Sequence, residues 1–152
     1  MAEELRVLAP VPGRLLPLAE VPDPVFAGSM VSPGVAIDPP RGPVRALAPV
    51  DGRILKLHPH AYVVVAADGR GVLVHLGIDT VQLGGEGFSL LAAEGDQVTA
   101  GTPIVDWDAG AVEAAGRSPV CPVVALEAAP DALAGARTGA EVDAGAALFS
   151  WR

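Results

Sequence analysis

The stretch Leu47-Ala-Pro-Val-Asp-Gly-Arg-Ile-Leu-Lys-Leu57 repeats, at eight of eleven positions, the earlier Leu8-Ala-Pro-Val-Pro-Gly-Arg-Leu-Leu-Pro-Leu18. Each copy is a short apolar run interrupted by Pro and Gly, the pattern of a strand meeting a tight turn. A second pair, Gly95-x-x-Val98-x-Ala100-Gly101 and Gly139-x-x-Val142-x-Ala144-Gly145, is followed at equal spacing by Trp107 and Trp151. Two motifs recurring in the same order predict a duplication: two interlocked β repeats that close an antiparallel β-sandwich, a barrel-sandwich hybrid.

The rest of the chain agrees with an all-β fold. Its 18 Gly and 15 Pro punctuate Val/Leu/Ile runs rather than forming a low-complexity tract. Residues 61–67, 71–78 and 122–126 read as strands. Helical periodicity is weak, leaving short helical turns at 25–30, 109–115 and 130–136, the last with Pro at a helix start. A length of 152 residues suits one domain spanning 1–152.

Hydrophobic residues make up 51% of the chain, but 27 of them are Ala and 21 Val, and no uncharged run approaches the ~18 residues of a membrane span. Ten basic against eighteen acidic residues give a net charge of −8. That balance argues against nucleic acid, whose phosphates need a basic surface, and suits an electropositive partner. The start, Met1-Ala-Glu-Glu-Leu-Arg6, lacks the basic-then-apolar pattern of a secretory leader, so a cytoplasmic location is expected. The single cysteine, Cys121, excludes an internal disulfide and a multi-thiolate metal site. Lying between Val120 and Pro122 in a strand-like run, it reads as a small buried hydrophobe.

All three histidines, His58, His60 and His75, fall within eighteen residues, with Asp68-Gly69 between the pair and the third. Read as a two-residue hairpin turn, Asp68-Gly69 makes position i oppose 137 − i. His75 then faces Tyr62 and His60 faces Gly77, which puts both rings on one side of the sheet with Gly77 leaving room between them. A three-residue loop predicts the opposite, because a one-residue slip moves a side chain to the other face. Asp79 shares the parity of His75, and Val25, Phe26, Met30, Val31 and Leu73 are candidates for an apolar rim. Two adjacent imidazoles can hold a metal, or one can act as nucleophile while its neighbour donates hydrogen bonds.

At this point a family resemblance joins the reading. Val74-His-Leu-Gly-Ile-Asp-Thr-Val-Gln-Leu-Gly-Gly-Glu-Gly-Phe88 resembles the active-site signature of the glucose-type enzyme IIA (EIIA) component of the bacterial phosphoenolpyruvate-dependent sugar phosphotransferase system. The resemblance continues in Val21-Pro-Asp-Pro-Val-Phe-Ala27, Ala48-Pro-Val-Asp-Gly52, His60-Ala-Tyr62, Glu94-Gly-x-x-Val98 and Pro122-Val-Val124. It implies a β-sandwich in which His75 is the phosphorylated residue and His60 the second active-site histidine. It further implies that the histidine-containing phosphocarrier protein HPr delivers the phosphoryl group. A cysteine on the enzyme IIB domain of a sugar permease, linked to a IIC membrane domain, then receives it. Asp23 and Asp79 would meet arginines on these partners, and the same apolar face would serve any regulatory targets. No cofactor is required, although Zn at His60 and His75 in a partner complex is compatible. Enteric relatives carry an N-terminal extension that this chain lacks, and a hydroxyl residue where His58 stands, which leaves the role of His58 open.

Two other readings compete. His58-x-His60 and His75-x-x-x-Asp79 have zinc-ligand spacings like those of LytM-type metallohydrolases, but the two motifs stand in the opposite order to that family's. A biotinyl or lipoyl carrier also uses two β repeats. It needs a lysine at a hairpin tip, and the only lysine, Lys56, sits inside a Leu/Ile run.

Overall fold

A computed structural model describes residues 4–23 and 32–152. In chain order the strands are β1 (Leu5–Leu8), β2 (Gly13–Pro17), β3 (Gly34–Asp38), β4 (Pro43–Leu47), β5 (Gly52–His58), β6 (Ala61–Val65), β7 (Gly71–His75) and β8 (Phe88–Leu90). They continue with β9 (Gln97–Val98), β10 (Pro103–Asp108), β11 (Cys121–Ala125), β12 (Leu133–Ala134), β13 (Glu141–Val142) and β14 (Ala147–Trp151). One α-helix is present among the described residues, α1 (Ala109–Ala114), together with 3₁₀ turns at Leu18–Glu20 and Thr80–Leu83.

The duplication read from the repeats is visible in the sheet order. An eight-stranded antiparallel sheet runs β13-β2-β3-β11-β7-β6-β5-β9, and two three-stranded sheets run β1-β14-β12 and β4-β10-β8. The large sheet is a palindrome of equivalent strands about the β11–β7 pair, and the small sheets are copies of each other. Hydrogen bonds repeat with it: Gly139 N–H donates to Leu15 O and Gly95 N–H to Ile54 O, at 2.7 and 2.8 Å. Where the two repeated Pro-Val-x-Gly turns meet, Leu8 N–H donates to Pro49 O and Leu47 N–H to Pro10 O, both at 2.8 Å.

Alternation along each strand sends one set of side chains inward, where the sheets bury a common core that includes Val7, Val50, Ile54, Val64, Val72, Ile104, Phe149 and both tryptophans. A smaller cluster of Leu18, Val21, Ala36, Ile78, Val120 and Val124 lies apart from it, with Leu73 packed against it. In β7, Val72 and Val74 are buried while Leu73 and His75 are half-exposed, so the histidine lies on the opposite face from the main core.

Two expectations need correction. Residues 130–136 are not helical: Leu133 and Ala134 pair with Trp151 and Ser150 as an edge strand, which stops at Gly135 with φ +88°. The β6–β7 hairpin has a three-residue loop, not a two-residue turn. Ala66 N–H donates to Arg70 O and Gly69 N–H to Ala66 O, with Gly69 at φ +93°, the geometry of a type I turn followed by a left-handed residue. The Asp68 carboxylate stabilises this longer loop by accepting from Arg70 N–H and Nε. His75 therefore opposes Ala61, not Tyr62, and β6 and β7 pair one residue out of the expected register. The short helix expected at 109–115 is present as α1, capped by the Asp108 carboxylate accepting from Ala111 N–H; the one expected at 25–30 lies outside the described residues.

Candidate functional site

The register shift does not separate the histidines, because strand parity does not govern His60. His58 is the last residue of β5 and pairs with Ala61, leaving Pro59-His60 as a two-residue turn between β5 and β6. Proline at the first turn position presets φ and has no N–H to offer a ladder. His60 is thus aimed by the turn, and its carbonyl accepts from Leu76 N–H at 2.7 Å, tying the turn to the end of β7. The His60 and His75 ring centroids are 5.2 Å apart with a 68° interplanar angle. His58, exposed, also stacks on His60, with centroids 5.7 Å apart and an interplanar angle of 25°.

Chain geometry after β7 orients His75. Gly77 takes φ +81°, and a Cβ there would lie 2.7 Å from Thr80 Cγ2 and 2.9 Å from Ser118 O. Its carbonyl lies 2.5 Å from His75 Nδ1. A carbonyl only accepts, so Nδ1 carries the proton and the lone pair is left on Nε2. The fully buried Thr80 donates its hydroxyl to Leu76 O at 2.8 Å, and Ile78 N–H donates to Ser118 O at 2.8 Å. Asp79 follows in a left-handed conformation, φ 59°, and is exposed at the head of the Thr80–Leu83 turn.

Electrostatics keep both rings neutral at pH 7. Burial holds His75 below the ordinary histidine value, opposed by its bond to Gly77 and by the charges of Asp23 and Asp79. His60 is lowered to about 4, first by burial and then by repulsion from His75 and His58. Two nitrogens are half of a tetrahedral zinc set, and among the described residues no three His, Cys, Asp or Glu side chains gather to hold a metal ion. The four-residue metallohydrolase arrangement of His58, His60, His75 and Asp79 is therefore not assembled.

The family model described as phosphoenolpyruvate-dependent sugar phosphotransferase system, EIIA 1 matches residues 5–130. The chain belongs to this family. The glucose-specific EIIA component of Oceanobacillus iheyensis is 40% identical over 124 residues, 80% of this chain and 74% of that protein. The glucose-specific EIIA component of Bacillus cereus is 41% identical over 123 residues, 80% and 73% of the two chains. In Corynebacterium glutamicum a mannose-specific EIIBCA component is 39% identical over 129 residues, 84% of this chain but 19% of that longer protein. The solved structure of glucose permease IIA from Mycoplasma capricolum superposes with a TM-score of 0.90 at 32% identity, covering 98% of this chain and 96% of that one. As an EIIA component, the chain has a phosphotransfer role in sugar transport. No helix among the described residues is long and apolar enough to cross a membrane.

The candidate site gathers some of the residues picked out from the sequence and leaves others aside. His60, His75 and the charges of Asp23 and Asp79 come together. Leu73 lies on the His75 face of β7, packed against the smaller cluster that contains Val21 and Val124. Val25, Phe26, Met30 and Val31 lie outside the described residues. Sequence reasoning missed the parts played by the Gly77 carbonyl, the Thr80 hydroxyl and the Ser118 carbonyl, whose roles come from local geometry that the motif alone does not reveal.

Proposed function

We propose that this EIIA component accepts a phosphoryl group from HPr on Nε2 of His75 and passes it to the cysteine of a sugar-permease IIB domain. The His75 Nδ1–Gly77 carbonyl contact carries the reading, since it leaves a lone pair on Nε2 of a neutral ring. In the first step the donor's P–N bond breaks as His75 Nε2–P forms, while the proton stays on Nδ1, donated to the Gly77 carbonyl. In the second, a thiolate displaces Nε2, the S–P bond forms and the imidazole is neutral again. Charge spreads over three phosphoryl oxygens in each step. His60 stands beside them to donate a preorganised N–H, the interaction that most often lowers such barriers.

Asp23 and Asp79 bring negative charge to the nucleophile, which suits arginines on HPr and IIB and steers a short-lived encounter. Val25, Phe26, Met30, Val31 and Leu73 are the proposed apolar rim that excludes water during transfer. The reaction needs no metal. A zinc ion taken up between His60 and His75 would occupy the Nε2 lone pair, so added zinc is expected to inhibit acceptance and chelator to restore it. The cytoplasm, where phosphoenolpyruvate is available, is the proposed location.

Incubation with phosphoenolpyruvate, enzyme I and HPr, followed by mapping of acid-labile phosphate, tests the proposal. Label is expected on His75 and absent from His75→Gln. His60→Gln is expected to accept label but to pass it to IIB about 100-fold more slowly, the usual scale for one positioned proton donor. Normal onward transfer by that variant would remove His60 from the mechanism, and label elsewhere than His75 would end the proposal.

A further inference from the structure

The two histidines of the site are held in different ways. The His75 ring is fixed by a hydrogen bond from Nδ1 to the Gly77 carbonyl. For His60 the backbone is fixed: its carbonyl accepts from Leu76 N–H at 2.7 Å, and the loop beyond the Thr80–Leu83 turn packs against Pro59, where a Cβ on Gly85 would lie 3.3 Å from Pro59 Cγ. The His60 ring has no such anchor. Among the described residues nothing hydrogen-bonds its nitrogens, and two other imidazoles meet it instead. His75 meets it edge-on, with centroids 5.2 Å apart and an interplanar angle of 68°. His58 lies nearly parallel to it, at 5.7 Å and 25°. His58 closes β5 against Ala61, so only Pro59, with its preset φ, separates the two stacked residues.

We infer that His58 is a positioning residue for phosphoryl transfer: its ring, laid along that of His60, holds the His60 imidazole in the orientation that presents an N–H to the phosphoryl oxygens on His75. This inference rests on the reading of His75 as the phosphoryl acceptor. His58 acts through His60 alone. The edge contact to His75 is made with the reacting ring, whose Nε2 is bonded to phosphorus between the two steps, so the stack on His58 is the support that does not change with the chemistry. An imidazole turns about χ1, with three staggered wells, and χ2, with about two, so a released ring would spend only about a third to a sixth of its time in the productive orientation. A stack needs a flat ring and no ionisable group. Phenylalanine can therefore replace His58, and alanine cannot.

The test compares wild type, His58→Ala and His58→Phe by the Hα–Hβ couplings of His60, which report χ1, and by the kinetics of transfer from the phosphorylated protein to IIB. Wild type is expected to hold His60 in one χ1 rotamer. His58→Ala is expected to average the couplings and to lower kcat for transfer about three- to sixfold, with KM for IIB unchanged. His58→Phe is expected to restore both. A single rotamer or an undiminished kcat in His58→Ala, or a phenylalanine variant as impaired as the alanine one, would overturn the inference. So would a loss carried entirely by KM, which would make His58 a docking contact for IIB and no support for His60. The couplings do not depend on turnover. If wild type never accepts phosphate, the phosphocarrier reading fails while the rotamer of His60 still decides whether His58 holds it.

Discussion

His60 and His75 are both neutral at pH 7, for different reasons. For His75, burial outweighs a carbonyl bond and two carboxylate charges; for His60, burial and two neighbouring imidazoles act in the same direction. NMR titration is expected to place the His60 midpoint near 4, and His58→Ala to move it upward without restoring the ordinary value, since burial is the larger cause. A phosphoryl group on His75 brings negative charge and should raise the His60 midpoint further; a midpoint unmoved by phosphorylation would mean that the ring does not face the phosphate. The same shift links the site to stability. The unfolded chain binds a proton at His60 at higher pH than the folded one, so stability is fully present above about 6.5 and is lost as pH falls toward about 4. Urea midpoints measured at pH 7 and pH 5 should differ more in wild type than in His60→Gln.

At the scale of elements, the two ends of β7 are closed by glycines with opposite consequences. Gly69 sits in the β6–β7 loop at φ +93° with nothing within 4 Å of a built Cβ. Gly69→Ala should cost about 1 kcal/mol from the left-handed backbone alone, leaving phosphoryl acceptance unchanged. Gly77 combines φ +81° with contacts of 2.7 and 2.9 Å. Gly77→Ala should therefore cost roughly 3 kcal/mol, from backbone strain plus overlap, and should abolish acceptance by moving the carbonyl that holds His75. Urea unfolding and label transfer measured on both variants check the contrast. These elements also show what the sequence could reveal. The histidine pair was legible through the long signature around His75, but the register expected of β6 and β7 is not what brings the rings together: the Pro59-His60 turn, unread in the sequence, aims His60. The register of the hairpin was not legible, because Asp68-Gly69 suits both a two- and a three-residue loop, and the choice depends on the Asp68 bonds to Arg70. The part played by Gly77 was not legible either, since it depends on Ser118, about forty residues away in the chain.

At the scale of the whole molecule, the site occupies one half of a symmetric scaffold. The pseudo-twofold relation maps Leu76 N–H to His60 O onto Ala125 N–H to Pro33 O, bonds of 2.7 and 2.9 Å. His60 thus corresponds to Pro33, and His75, one residue earlier on β7, to Val124 on β11. The chemistry was added to one repeat, while the other supplies the packing around Val124 that supports it. The scaffold itself depends on both repeats equally, and the repeated glycines show where. A Cβ on Gly13 would lie 2.2 Å from Asp38 O, and one on Gly52 2.1 Å from Val65 O, so in each half a strand crosses the backbone of its neighbour with no room for a side chain. Gly13→Ala and Gly52→Ala are each expected to cost roughly 2–4 kcal/mol, with Gly13 the worse because its φ of +143° adds strain. If the two halves form one cooperative unit, both variants unfold in a single transition, and either substitution exposes the His60 and His75 resonances at the same urea concentration as the tryptophan signal. A separate early transition in Gly13→Ala that leaves the histidine resonances native would show the halves to be independent, and the symmetry to be one of ancestry without shared stability.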